Sequence, residues 1–305
     1  MIEVESGLHI GSVSDLKEAE SLRAAGITHI LTVDSEEPAV DGFDTKFIRA
    51  LDDASTDLLS RLDDCVKFIS DALRAKTESQ SAGVLVHCHV GQSRSAAVVT
   101  AYLMKTQQLT LQDAYSKLQN SKPDVKMNEE FLEQLGLYEL MNFEVDTTNP
   151  LYKQFRLKKL TEKYPELQNV PKEVFAVDPA QMQNTEAVYR CRKCRRTLFR
   201  HSSILSHCVG SGASAFSQKK QRIPSTASND LTLCTSYFIE PVQWMEQALL
   251  GVMDGQLLCP KCCSKLGSFN WYGEQCSCGR WVTPAFQMHK NRVDEIKPIS
   301  LSAIK

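Results

Sequence analysis

The sequence predicts an α/β domain, with a central sheet flanked by helices, followed by a small β-rich domain built around metal. Three observations predict it. Strand-like and helix-like patterns alternate through the first half. A polar stretch interrupted by Pro150, Pro165, Pro171 and Pro179 follows. Beyond it, seven of the eleven cysteines fall into short-spaced groups between Cys191 and Cys278, which in a reducing compartment argues for metal rather than disulfides. At 305 residues, with 42% hydrophobic and 24% charged residues, the chain is long enough for two cores. The expected division is a first domain over 1–145, a helical, proline-containing connector over 146–186, a second domain over 187–295 and a tail over 296–305. The Ser- and Gly-rich segment 210–230 reads as a mobile excursion of the second domain.

Within the first domain GLHIGS reads as a short strand and turn, and Ser14 to Ala25 as a helix that stops at Gly26. The apolar, β-branched run Ile27 to Val33 is a strand, and Lys46 to Leu51 another. Leu58, Leu62, Val66, Ile69 and Leu73 recur every three to four residues, so one face of a helix is buried there, with Cys65 as an inert packing residue. TESQSAG is a polar loop, VLVHC the central strand and SAAVVTAYLMK a buried helix. Thr110 caps a helix through Leu118, Asn128 to Met141 forms the next, and Leu151 to Lys163 is the helix of the connector.

No run approaches 18 apolar residues, and MIEVESGLHIGS lacks the basic-then-apolar order of a signal peptide, so the chain reads as soluble and intracellular, with no membrane partner. Its net charge of −2 hides an asymmetry. Residues 1–150 carry 13 Lys and Arg against 25 Asp and Glu, while residues 151–305 carry 22 against 12. A half with an excess of ten cations suits an anionic partner such as nucleic acid or a ribonucleoprotein, although a merely solvated face is the commoner cause of local charge.

The chemistry starts at HCHVGQSRS. A cysteine attacks as thiolate, and a free thiol of pKa about 8.5 is mostly protonated near neutrality. Here the loop Cys88 to Arg94 joins a strand to the start of a helix, so backbone N–H groups and the helix dipole favour an anion within it. Gly91 lets the backbone curl tightly, and Arg94 adds a planar fork suited to two phosphate oxygens. His87, His89, Val90, Gln92 and Ser93 complete the candidate phosphate loop.

On HCHVGQSRS, GLHIGS, AAGITHILTV and AYLM, the first 145 residues resemble the dual-specificity branch of the Cys-x5-Arg protein tyrosine phosphatase superfamily. The resemblance implies that Cys88 is a nucleophile forming a phosphocysteine, that Arg94 binds phosphate, that Ser95 hydrogen-bonds the departing thiolate, and that His87 supports the loop. A thiolate cannot easily expel a serine or tyrosine oxygen unless its charge is neutralised, so a general acid is needed. In this branch that acid is an aspartate after a strand. Asp52, 36 residues before Cys88, fits best; Asp53 is its competitor, and Asp57 reads as a helix cap. With no Lys between Cys88 and Arg94, a phosphoprotein is the preferred substrate, ahead of lipid or RNA phosphates.

Cys191-x2-Cys194 and Cys259-x2-Cys262 have knuckle spacing, and Cys276-x-Cys278 is a third tight pair. Eight ligands fill two closed zinc sites: Cys191, Cys194, Cys259 and Cys262 in one, His207, Cys234, Cys276 and Cys278 in the other. Pairing Cys259/Cys262 with Cys276/Cys278 has equally acceptable spacing, and Cys263 reads as a bystander. Closed sites leave no position for water, so both zinc ions are structural and no cofactor serves catalysis. The words RCRKCRRTLFRHSSILSH, CTSYFIEPVQWM and LLCPKCCSKLGSFNWYGEQCSCGRWVTPAF are similar to the zinc domain that one phosphatase family carries at this position, and the first resembles two-CxxC β-tent modules, which favours the first grouping. That likeness implies a nuclear and cytoplasmic protein acting on pre-ribosomal particles or rRNA during large-subunit maturation. The competing reading is an assembly scaffold with incidental catalysis. Phe199, Phe238, Trp244, Phe269, Trp271, Tyr272 and Trp281 could stack on bases, but a small zinc domain also needs aromatics for its core.

Overall fold

Strand β1 (Ile2–Glu5) pairs antiparallel with β2 (Leu8–Ser12), which carries the chain into the sheet. A 3-10 turn over Val13–Lys17 and a short helix α1 (Ala19–Ala24) follow, then β3 (Ile27–Asp34) and β4 (Asp44–Arg49). Helix α2 (Leu62–Arg74) leads to β5 (Gly83–Cys88) and α3 (Arg94–Gln107), and α4 (Leu111–Ser121) and α5 (Glu129–Leu140) complete the unit. The five strands run in the order β1-β2-β5-β3-β4, parallel except for β1. These features come from a computed structural model that describes residues 1–74, 82–163, 170–183, 185–207, 209–210 and 234–298. The chain divides into two compact units, Met1–Asp146 and Thr147–Lys305.

Every residue of β5 is buried, as a central parallel strand covered on both faces requires. On one face Leu85 and Ile30 meet Leu22 of α1; α3, buried from Arg94 through Met104, packs against β2, β3 and β5. A helix apolar on every side belongs in a core, and here it is braced by α2, α4 and α5. Residue periodicity therefore does more than build the domain. It fixes the strand end and the helix start between which Cys88 sits.

The helix expected over Ser14–Ala25 is broken in two at Glu18. Asp15 turns its carboxylate back onto the Ser12 amide at 2.8 Å and the Ser12 hydroxyl at 3.2 Å, which tightens the first turn into 3-10 geometry. The helix expected from Asp57 begins in earnest at Leu62, after a 3-10 turn over Leu59–Arg61 that Asp57 caps through the Ser60 amide at 3.0 Å. β1 was not legible as a strand, being short and half exposed. Of the expected polar loop TESQSAG, positions 77–81 lie outside the described residues, as do 211–230 of the expected excursion.

In the second unit α6 (Pro150–Lys163) precedes β6 (Val188–Cys191), β7 (Thr197–Arg200), β8 (Ser236–Phe238) and the one-turn helix α7 (Glu246–Leu249). Then come β9 (Asp254–Leu258), β10 (Lys265–Asn270), β11 (Glu274–Gln275), β12 (Trp281–Val282), β13 (Ala285–His289) and β14 (Val293–Ile296). They form antiparallel sheets ordered β14-β6-β7 and β8-β13-β10-β9, with β11 and β12 as a separate ribbon. The expected connector is not a bare tether. Leu157, Leu160, Val170 and Phe175 are buried in the same cluster as Phe199, Trp271 and Phe286, because so small a β unit needs the apolar face of α6 to close its core.

Candidate active site and metal centres

β5 ends at Cys88 and α3 starts at Arg94, so the five intervening residues form a loop at the carboxyl end of the parallel strands. Gly91 has φ +81°, and a Cβ there would lie 2.6 Å from the Gly11 carbonyl oxygen of β2, so no other residue fits. The loop is tied on both sides, by the Val13 amide to the His89 carbonyl at 3.3 Å and the Lys126 amide to the Gln92 carbonyl at 3.0 Å. Cys88 is buried, its Sγ accepting the Gly91 N–H at 3.2 Å and lying 3.2 Å from Ser95 Oγ. His89 and Val90 are exposed at the lip.

Arg94 is buried, and its Nη1 donates to Asp34 Oδ1 at 2.6 Å and to the Ala50 carbonyl at 3.2 Å. Its Nε is buried without a hydrogen-bond partner. One side of the guanidinium is thus anchored while a donor remains for a ligand oxygen. Behind the loop, His87 Nε2 lies 2.7 Å from Thr32 Oγ1 of β3, and burial pushes the imidazole pKa below its usual value. His87 therefore supports the strand end as a neutral, hydrogen-bonded ring rather than as a cation.

Asp52 and Asp53 have separate tasks. Asp53 Oδ1 accepts the amides of Ser55 at 2.9 Å and Thr56 at 3.1 Å and both their hydroxyls, at 2.8 and 3.2 Å. Burial works to raise its pKa, but these four bonds outweigh it and hold the carboxyl below its ordinary range, as befits a turn-former. Asp52 instead faces the phosphate loop, its Oδ1 accepting Ser93 Oγ at 2.7 Å and Asn128 Nδ2 at 2.6 Å. The amide of Asn128 is oriented by its other end, since Oδ1 accepts the Phe131 N–H at 2.8 Å and caps α5. Gln134, also on α5 and buried, accepts the amides of Leu58 and Leu59 at 2.9 and 2.8 Å and donates to the Thr56 carbonyl at 2.8 Å.

In the second unit the eight expected ligands sort into two groups, Cys191, Cys194, Cys259 and Cys262, and His207, Cys234, Cys276 and Cys278. Within each, the ligand atoms lie within 4.8 Å of one another. The alternative pairing of Cys259/Cys262 with Cys276/Cys278 does not occur, because β6 brings the first knuckle against the end of β9. The two knuckles of the first group share one backbone plan. Arg195 and Cys263 each follow the second cysteine at positive φ, with their amides on the Cys191 and Cys259 carbonyls at 2.8 and 2.9 Å. Cys263 is therefore the structural counterpart of Arg195 and points to solvent.

Tetrahedral Zn–S bonds of about 2.3 Å separate sulfurs by about 3.8 Å. Cys191 and Cys262 Sγ are 3.8 Å apart, Cys194 and Cys259 3.5 Å, and His207 Nε2 is 3.4 Å from Cys234 Sγ. These groups could each hold a metal ion. Burial pushes the Cys259 thiol up to about 12, whereas Ser264 holds Cys262 down to about 6, an uneven set that a bound cation would deprotonate together.

The family described as "Dual specificity phosphatase, catalytic domain" matches residues 8–141. Dual specificity protein phosphatase 12 of Homo sapiens is 60% identical over 97% of this chain and 89% of its own length. The chain belongs to the dual specificity protein phosphatase 12 family. Tyrosine-protein phosphatase YVH1 of Saccharomyces cerevisiae is 32% identical over 98% of this chain and 92% of its own. The crystal structure of the Yvh1 phosphatase domain from Chaetomium thermophilum has a TM-score of 0.44 at 26% identity, covering 48% of this chain and 98% of that one. As a member of this family the chain is a dual-specificity protein phosphatase acting on phosphoproteins.

The sequence reading of this dual-specificity phosphatase missed Asp34, Asn128 and Gln134. Asp34 closes an apolar strand, the one sign that it faces a site, and Asn128 reads as the first residue of a helix and nothing more. Among the described residues no helix is long and apolar enough to cross a membrane.

Proposed function

We propose that Cys88 Sγ attacks the phosphorus of a phosphorylated tyrosine, serine or threonine while Asp52 protonates the departing oxygen. The S–P bond forms as the P–O bond breaks, leaving a phosphocysteine. Water, deprotonated by Asp52, then displaces the sulfur, releasing phosphate, and Ser95 steadies the thiolate as it leaves. The observation that carries this reading is the convergence on Cys88 Sγ of the Gly91 N–H and Ser95 Oγ, beside an Arg94 that keeps a free Nε donor. Asp52 suits the acid role because its carboxylate faces the loop through Ser93 and has not been consumed by its own turn, as that of Asp53 has.

Asp52→Asn is expected to lower kcat about 10²- to 10⁴-fold on alkyl phosphates and far less on an aryl phosphate with an acidic leaving group. Steady-state rates across a leaving-group series check this; equal losses along the series reject Asp52. Asn128→Ala should show the same leaving-group dependence more weakly, since Ser93 still holds Oδ1.

Two structural zinc ions, one in each cysteine group, fit donor sets of four sulfurs in the first and three sulfurs with one imidazole nitrogen in the second. The cationic excess of residues 151–305 supports a ribonucleoprotein partner, a pre-ribosomal particle or its rRNA, reached in the nucleus and cytoplasm. The first knuckle is only part of that footprint, since Arg192 and Arg195 pair with Asp294, and Arg196 with Asp178.

A further inference from the structure

The aromatic residues of the second unit divide into two sets. Phe199, Phe238, Phe269 and Trp271 are at most 2% exposed, and Trp244 donates its Nε1 to the Leu198 carbonyl at 2.7 Å. These serve the core. Tyr272 and Trp281 are 69% and 61% exposed, and no packing requirement accounts for them.

Their placement is specific. β11 and β12 pair antiparallel with Gln275 opposite Trp281. Strand alternation turns Val282 inward, onto the cluster of Cys234, Cys276 and Cys278, and so turns Trp281 out. The indole is also seated. A Cβ at Gly273 would lie 2.5 Å from Trp281 Nε1, so Gly273, at φ +102°, leaves room for the ring beside Tyr272. Thr283 Oγ1 reaches the Tyr272 carbonyl at 3.5 Å. Two aromatic residues are thus held at one exposed ribbon, anchored by the second cysteine group.

Cationic residues adjoin this ribbon. Arg280 is exposed next to Trp281. Gln154 of α6 donates to the carbonyls of Thr283 and Pro284, which joins that helix to the ribbon; of its five Lys and Arg, Lys153 pairs with Glu240 and buried Lys159 with Glu162, while Arg156 and Lys163 are exposed. Exposed aromatic faces beside cations are the chemistry of single-stranded nucleic acid, where bases stack and phosphates follow the charge.

We propose that Tyr272 and Trp281 form a stacking platform for single-stranded RNA, with Arg280 and α6 beside its backbone. This rests on the ribonucleoprotein reading above and names the surface. The test titrates the full-length, metal-loaded chain with a single-stranded oligoribonucleotide of about twelve residues, following tryptophan emission and anisotropy. Quenching is expected, because Trp281 is the exposed indole. Trp281→Ala and Tyr272→Ala should each weaken binding about tenfold, and Trp281→Phe should retain most of it. Metal content and circular dichroism of each variant report folding of the second unit. An oligonucleotide that leaves the emission unchanged, binds Trp281→Ala as well as the wild type, or is matched by polyglutamate overturns the platform. Recovery of pre-ribosomal particles with Trp281→Ala from cells is scored separately. Retained recovery with lost oligonucleotide binding keeps the platform and moves particle docking to another face, whereas wild-type protein that binds the oligonucleotide but recovers no particle sinks the ribonucleoprotein reading alone.

Discussion

Cys88→Ser is expected to lower turnover of an aryl phosphate at least about a thousandfold while leaving the fold intact. A hydroxyl can accept the Gly91 N–H and meet Ser95 Oγ much as the thiol does, so the loop loses little structure. What it loses is the nucleophile, since an alcohol is not ionised at neutral pH. Arg94 keeps its anchor on Asp34, so the variant should still bind an oxyanion such as vanadate or tungstate. Phosphate release at the wild-type rate, with circular dichroism unchanged, would remove Cys88 from the mechanism.

Cys259→Ser is expected to unfold the second unit, the largest stability effect foreseen in the chain. Structural zinc in small domains contributes about 10–16 kcal/mol near pH 7, more than such a unit could otherwise supply. Cys259 joins β9 to the first knuckle, and around it the core of Leu257, Leu266 and Phe199 closes. Elemental analysis should fall from two zinc per chain to at most one, and a chelator should reproduce the loss in the wild type. Aryl phosphate turnover should survive both treatments, because the phosphate loop is built wholly within Met1–Asp146. Two zinc retained by the variant, with unchanged thermal unfolding, would show that Cys259 is no ligand.

What the sequence discloses about this molecule is what its neighbours in the chain decide. Cys88, Gly91, Arg94 and Ser95 lie within eight residues on a strand-to-helix turn, and their geometry follows from local conformation. The grips of Asn128 on Asp52 and Gln134 on Leu58 each span 76 residues, and no local pattern announces them. Asp34 was hidden for the same reason: its partner Arg94 is 60 residues away. The break at Glu18 escaped because periodicity sees which residues are apolar, not that Asp15 would bond backward to Ser12. Trp271 and Tyr272 make the point most sharply. Adjacent in the chain and alike in composition, one is fully buried and the other 69% exposed, and what separates them is the turn after β10 in which both lie, a shape that residue type alone does not announce.

The bracing of residues 52–59 by α5 also bears on tempo. Asp52 is gripped near one end of the segment and Leu58 and Leu59 at the other, both by side chains of a separate helix, which leaves little slack for a swinging gate. On the acid role proposed for Asp52, proton delivery stands ready before substrate arrives, and turnover should be indifferent to solvent viscosity up to the point where diffusion of the phosphoprotein itself becomes slow.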